Sequence, residues 1–454
     1  MRGRRLASTR ATAHADATTT RMRLVRAFER TASASARVEA RRDRGRRASS
    51  RDASTARAVS TEVVKVENAF VDALLDVLGA NERVACATRA DGVRGLFAKT
   101  SMSRNDPVLE IPLAEFGILD DPSERTTWSR QLGRALVDVH RRSRASDPGL
   151  TETMKTYAMT LPKFGGEAIG LANNPDVASA LADAWDCREA ASDMQTFREQ
   201  ISNSYEQELA LDPTLREDEW RWALSMVHSR TFRIEDEYGR RATRRALIAA
   251  ADLLNHSSVR GEVNCDWSAN DDYFVVTTTR DVRAGEELCI SYGEQCDRHF
   301  ALFYGFLPSQ NPFNRVKLFF NGREALDWYQ ELCGATPDAP GWSNEKERVV
   351  KLVCDKYGTY KMDKSTGLRR RVIQDLYLGE GGKVSDAMLL LFNEMCGDEE
   401  MAIAAIRERA SELRANMLNT TERVEAALAG SDAYSQSLVR EYRRRKIDLL
   451  SHIV

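Results

Sequence analysis

The sequence predicts an α+β fold: β-rich stretches on either side of a helical region, which by periodicity is an insertion or an independent helical domain, then an all-α C-terminal domain. Three observations carry this. Tyr273 to Thr279 alternates and is β-branched, as a half-buried strand is. Arg283-Ala284-Gly285-Glu286 reads as a turn, with Gly285 free to take positive φ, that feeds a second strand, Leu288 to Tyr292. Across residues 117–228, and again from Ala325 onward, apolar residues recur at helical spacing.

Composition bounds the function. The chain has 454 residues, 42% apolar and 30% charged, which fits two or three domains with a sizeable core. No apolar run approaches the ~20 residues of a membrane span, so no membrane partner is expected. Eight scattered cysteines form no CxxC pair, which argues against a zinc cluster or a disulfide framework, and no metal is expected. The first 58 residues hold sixteen Arg, no Lys and five acids amid Ala, Ser and Thr. That matches an organelle transit peptide over residues 1–60, with cleavage near Ala58 to Thr61; the other reading is a basic nucleic-acid-binding tail. The tail carries +11 of a chain whose total is −2, so the remainder carries −13. A body that acidic is a poor nucleic-acid binder and favours basic, lysine-bearing partners.

In chain order, Val63 to Leu78 reads as an amphipathic helix ended by Gly79, and Val84 to Thr88 as a short strand. Asp91 to Ala98 (DGVRGLFA) places two glycines three apart, a tight loop that lets backbone approach a ligand, or a plain hairpin. Helices are expected over Trp128–His140, Asp176–Trp185, Asp193–Glu208 and Glu217–Arg230. Arg315 to Phe320 reads as a last strand. Helices then follow over Ala325–Cys333, Asn344–Tyr357, Ser365–Tyr377, Val384–Met395, Asp398–Leu428 and Ala433–Ser451.

The densest chemistry lies in Asp252-Leu253-Leu254-Asn255-His256-Ser257, in Ala284-Gly285-Glu286-Glu287-Leu288 running into Ile290-Ser291-Tyr292-Gly293, and in Tyr304-Gly305-Phe306. Singly, an Asn-His pair is a capping feature and a strand-ending Tyr is packing. In this order and within about 60 residues they form a specific pattern. It closely resembles the SET-domain protein methyltransferases, most of all the branch of the Rubisco large-subunit lysine methyltransferases. The DGVRGLFA segment resembles the first motif of that family, Tyr157 to Pro162 its Y-x-x-x-L-P element, and Ser229-Arg230-Thr231-Phe232 its S-R-x-F segment.

The resemblance covers about residues 62 to 450 and implies three regions. These are the transit peptide, a SET domain over 61–310 with the insertion at about 117–228, and a C-terminal domain over 311–454 that helps hold a folded protein substrate. It implies S-adenosylmethionine as cofactor, held by Gly92, Arg94, Gly95, Leu96, Arg230, Asn255, His256 and Tyr292. It makes Tyr292 the catalytic residue, and sets Arg230, Asp252, Tyr292 and Tyr304 at the substrate. The implied reaction is N-methylation of a lysine in a non-histone protein by a monomeric enzyme, with the Rubisco large subunit or a plastid aldolase as substrate. The implied location is the chloroplast; composition alone leaves the mitochondrion open. A protein-histidine methyltransferase on the same fold and a catalytically inactive binding module are the rivals. The chain departs from some relatives in two places: Ile234 stands where they have a polar or basic residue, and no tyrosine lies between Ser257 and Asp272, where their channel wall has one.

Overall fold

The computed structural model describes residues 63–64, 69–162, 188–235, 243–259, 261–336, 341–362, 369–374 and 376–453. The expected transit peptide with its cleavage site, and the expected helix Asp176–Trp185, lie outside them. Contacts group the described chain into two compact units: residues 63–314 with 419–445, and residues 315–418 with 446–453.

The strands of the first unit are β1 (Val63–Val64), β2 (Val84–Arg89), β3 (Arg94–Ala98), β4 (Pro107–Pro112), β5 (Gly117–Leu119), β6 (Thr231–Ile234), β7 (Arg244–Ile248), β8 (Asn255–His256), β9 (Cys265–Ala269), β10 (Tyr273–Thr278) and β11 (Cys289–Ile290). They make small sheets ordered β1-β2-β3, β4-β10-β9 and β5-β7-β6, with β11 paired to β8. The expected β10 alternation is present: Phe274, Val276 and Thr278 are buried while Tyr273 is exposed. Gly285 takes φ 86° in the turn that follows. The chain opens differently from the expected single helix. Val63 and Val64 pair as a strand with Arg89 and Thr88, and the helix runs only over Ala69–Val77. Two adjacent β-branched residues next to an available edge favour the ladder.

The insertion is helical: Trp128–Arg144, Glu152–Thr160, Arg188–Leu209 and Glu217–Arg230. Its first and last helices meet over Gly133, where a Cβ would stand 3.0 Å from the Trp220 ring. Buried carboxylates clamp the layer. Glu208 accepts from Arg130 and Arg134, and Glu219 from Arg141 at 2.5 Å. The final helix ends at Arg230 and passes straight into β6, which delivers Arg230 to the end of a sheet. Segment 419–445 also belongs to this unit. Tyr434 donates to the Gly305 carbonyl, and Arg445 meets the fully buried Asp297 at 3.2 Å, so both brace the turn that carries Tyr304.

The second unit holds helices Gly322–Leu332, Trp342–Tyr357, Asp386–Cys396 and Glu399–Asn419. It is helical with two short antiparallel ladders added: β12 (Arg315–Lys317) with β15 (Tyr377–Gly379), and β13 (Thr359–Met362) with β14 (Arg369–Val372). Its core packs Phe319, Trp328 and Phe392, with Arg409 over the Phe319 ring at 4.9 Å. Of the expected helix Ser365–Tyr377, residues 365–368 and 375 lie outside the described residues, and the rest holds β14 and the start of β15 in place of a helix. Three consecutive arginines would crowd one turn of a helix, whereas in the ladder Arg369 and Arg371 share one exposed face. The expected long helix Asp398–Leu428 is two helices, Glu399–Asn419 and Thr421–Leu428. Adjacent Thr420 and Thr421 weaken helix propensity at the break.

Among the described residues no helix is long and apolar enough to cross a membrane, and no His, Cys, Asp and Glu cluster could hold a metal.

Candidate active site

The site forms where residues 89–98, 229–233 and 250–306 meet. Parallel pairing of β8 with β11 aligns Asn255 with Cys289 and His256 with Ile290. The buried Asn264 locks this pairing. Its amide donates to the Glu287 carbonyl at 2.7 Å and accepts from the Cys289 N–H at 2.8 Å. Asn255 Nδ2 donates to the Arg94 carbonyl at 2.9 Å and to Glu287 Oε1 at 2.7 Å. The second oxygen of Glu287 accepts from Arg89 at 3.1 Å. Gly95 lies hard against this group: a Cβ there would stand 2.5 Å from Glu287 Oε1 and 2.6 Å from Asn255 Nδ2. Any side chain at this position would push the ends of Glu287 and Asn255 out of their hydrogen bonds.

His256 aligns the strand end. Its Nδ1 accepts the backbone N–H of Tyr292 at 3.0 Å, so the ring proton sits on Nε2, 2.6 Å from Ser258 Oγ. The ring stacks on Phe300 at 4.6 Å. Burial pulls its pKa down to about 4, so it is a neutral hydrogen-bonding part at neutral pH. The Tyr292 hydroxyl donates to the Leu254 carbonyl at 2.7 Å, and its ring lies 5.1 Å from Tyr304. Burial, then the neighbouring Tyr304, pushes the phenol pKa up, and it stays protonated.

Asp252 is held from two sides. Tyr157 donates to Oδ2 at 3.2 Å, while Arg230 Nη1 donates to the Asp252 carbonyl at 3.2 Å and to Oδ2 at 3.3 Å. Burial raises its pKa, opposed by the Arg230 and Arg94 charges. Asp252 Oδ1 and Arg230 Nε are buried and have no hydrogen-bond partner among the described residues. The chain enters this turn through Ala250, at φ 69° and ψ −37°. For a residue with a Cβ that conformation costs about 1–3 kcal/mol, and the buried run of alanines around it holds it in place.

A cavity of ≈ 320 Å³ opens beside these groups, lined by Arg230, Phe232, Asp252, Leu254, Trp267, Ile290, Tyr292 and Tyr304 among others. One wall is a rigid ring pile: Trp267 stacks on Phe274 at 5.0 Å, and Phe232 meets both edge-on. Tyr292 and Tyr304 form another.

Of the residues singled out from sequence, Arg230, Asp252, Tyr292 and Tyr304 meet around this cavity. Arg94, Gly95, Asn255 and His256 gather along the neighbouring strand ends, with Arg94 donating to the Thr160 carbonyl at 2.8 Å. Leu96 points into the core, and its carbonyl accepts the Leu288 N–H at 2.7 Å. Gly92 lies apart, in the exposed β2–β3 turn at φ 85°. Ile234 is buried. Trp267 supplies an aromatic wall in the stretch that lacks tyrosine. Asn264, Glu287 and Ser258 escaped the sequence reading. Asn264 works through backbone groups, Glu287 through side chains distant in sequence and Ser258 through the His256 ring, and a bare polar letter gives no sign of such pairings.

A family model described as SET domain matches residues 93–293. The actin-histidine N-methyltransferases of Homo sapiens and Gallus gallus are 34% identical to this chain over 110 residues, 24% of this chain and 18% of theirs. The match thus spans about a fifth of those relatives' length. Among solved structures, the SET domain of LSMT bound to MeLysine and AdoHcy aligns with a TM-score of 0.56 at 15% identity, covering 86% of this chain and 91% of that one. Rubisco LSMT bound to AdoMet aligns with a TM-score of 0.53 at 16% identity, covering 85% and 91%. Identities this low speak for the fold. Motif set, domain match and fold agree: residues 93–293 match the SET domain, and the chain shares the fold of the Rubisco LSMT structures.

Proposed function

We propose that this protein methylates a lysine of a non-histone protein from S-adenosylmethionine, and that it does so in the plastid, on a target such as the Rubisco large subunit or an aldolase. The observation that carries the reading is the cavity. Its lining sets the apolar and aromatic side chains Phe232, Leu254, Trp267, Ile290, Tyr292 and Tyr304 beside the polar Arg230, Arg233 and Asp252, and the Tyr292 phenol is held by a hydrogen bond to the Leu254 carbonyl. Such a channel suits an aliphatic stem ending in an amine.

The glycine-tight cradle of Gly95, Asn255 and Glu287 fits a cofactor that must lie against backbone, and Arg94, Gly95, Asn255 and His256 would hold it. When bound, S-adenosylmethionine supplies an electrophilic methyl on a sulfonium. The chain's own residues do the rest. A lysine near pKa ~10.4 must lose a proton, which costs about 4 kcal/mol at pH 7.5. Ring walls strip water from the ammonium and reduce that cost. Arg230 and Asp252, both in the cavity lining, give the substrate polar anchors. Tyr292, protonated and donating to Leu254, turns its lone pairs toward the cavity and orients the incoming nitrogen. The Arg- and Ser-rich leader supports plastid delivery.

The identity to actin-histidine N-methyltransferases favours a second reading, a histidine acceptor. One experiment separates the readings: protein lacking residues 1–60, methyl-labelled S-adenosylmethionine and a soluble chloroplast extract, with labelled residues mapped by mass spectrometry. Label on lysine is expected; label on histidine moves the assignment to the second reading. Retained cofactor binding with no label overturns both and leaves a binding module. Tyr292→Phe is expected to cut transfer by roughly 10²-fold or more while still binding cofactor.

A further inference from the structure

The second unit carries a surface that the catalytic reading does not use. The β13–β14 hairpin pairs Tyr360 with Arg371, Lys361 with Arg370 and Met362 with Arg369. By sequence, residues 355–371 hold six Lys or Arg against two Asp (Asp355 and Asp363), in a chain whose body carries −13. Tyr360 is 70% exposed, the most open of the large apolar side chains described. Arg371 stacks at 5.6 Å on its ring and donates to the Gly358 and Asp355 carbonyls, which ties the hairpin to the end of helix Trp342–Tyr357. Arg369, on the same face two residues away, is exposed. An isolated two-stranded ribbon is marginal in water, and this one presents an aromatic and an arginine, the side chains that anchor protein interfaces.

We infer that this hairpin face, through Tyr360 and Arg369, docks an acidic patch on a protein partner; resting on the reading above, that partner is the protein to be methylated. Charge complementarity selects the occupant. A small basic face on a strongly acidic body suits a short-range match to a local acidic patch. The same body repels a polyanion along its length, which disfavours nucleic acid.

The test uses the protein lacking residues 1–60 and a fluorescent Glu/Asp-rich peptide, read by anisotropy at about 50 and about 200 mM salt, with a single-stranded oligonucleotide alongside. Wild type is expected to bind the peptide in a salt-dependent way. Tyr360→Ala/Arg369→Glu, with an unchanged melting temperature, is expected to weaken it about tenfold. No peptide binding, or binding equal in both proteins, overturns the inference. Oligonucleotide binding that the double variant abolishes overturns it in favour of nucleic acid. This arm needs neither cofactor nor turnover, so it stands apart from failure of the catalytic reading. With the labelled protein of the extract as substrate, KM is expected to rise about tenfold at unchanged kcat; an unchanged KM removes the substrate-docking role.

Discussion

The cavity and the basic hairpin are held together on different length scales. Around the cavity, Asn255 reaches Arg94 across 161 residues, and Arg89 reaches Glu287 across 198. The hairpin is tied by Arg371 to groups 13 and 16 residues away. A site sewn from such distant segments exists only when the whole first unit is folded, because each closure costs chain entropy that only the complete core offsets. A ribbon tied locally can change its outer residues with little effect on anything else. The contrast teaches where substitution should be costly: strict at the catalytic seam, permissive on the docking face.

The largest expected effect tests the seam. Gly95→Ala drives a Cβ into Glu287 and Asn255. It should cost about 1–3 kcal/mol in urea unfolding and abolish cofactor binding by calorimetry; tolerance of the methyl would show the cradle to be loose. Next comes acid. His228, His256 and His299 all lie in the first unit, with pKa values pulled to about 4 by burial. Unfolded histidines titrate near ~6.5. Between those values the unfolded chain binds protons that the folded unit refuses, so stability is full above ~6.5 and drains away as pH falls toward 4. Asp252, its pKa raised above 3.8, opposes this weakly by taking up a proton in the folded state. The second unit's only described histidine is the exposed His452. Urea midpoints at pH about 7 and about 5 should therefore fall for the first unit and hold for the second; equal movement of both would erase the contrast. The smallest effect is on the hairpin, where Tyr360→Ala should shift stability by less than about 0.5 kcal/mol in the same urea titration.

Much of the first unit could be read from the chain. β10 announces itself by alternation, the Gly285 turn by its residues, and Glu217–Arg230 by periodicity, ending where the structure ends it. Arg230, Asp252, Tyr292 and Tyr304 meet because motif order preserves a shared geometry. What stayed hidden was pairing. Asn264 matters through two backbone groups on β11, and Glu287 through a strand almost two hundred residues away. In the second unit Ser365–Tyr377 reads as a helix on local spacing. The cross-strand register that makes part of it β14 is invisible to a one-segment periodicity.

The Tyr292 hydroxyl has a single proton, and that proton is committed to Leu254. Toward the cavity the oxygen can therefore only accept, and the site has a fixed polarity. An amine with N–H bonds left can satisfy that oxygen; one whose last N–H has been replaced by a methyl cannot. On the lysine reading proposed above, each methyl added removes an N–H that could meet this oxygen, and at complete substitution none remains. On that reading the contact that orders the substrate weakens as methylation completes, and departure of the product follows from the direction of one hydroxyl.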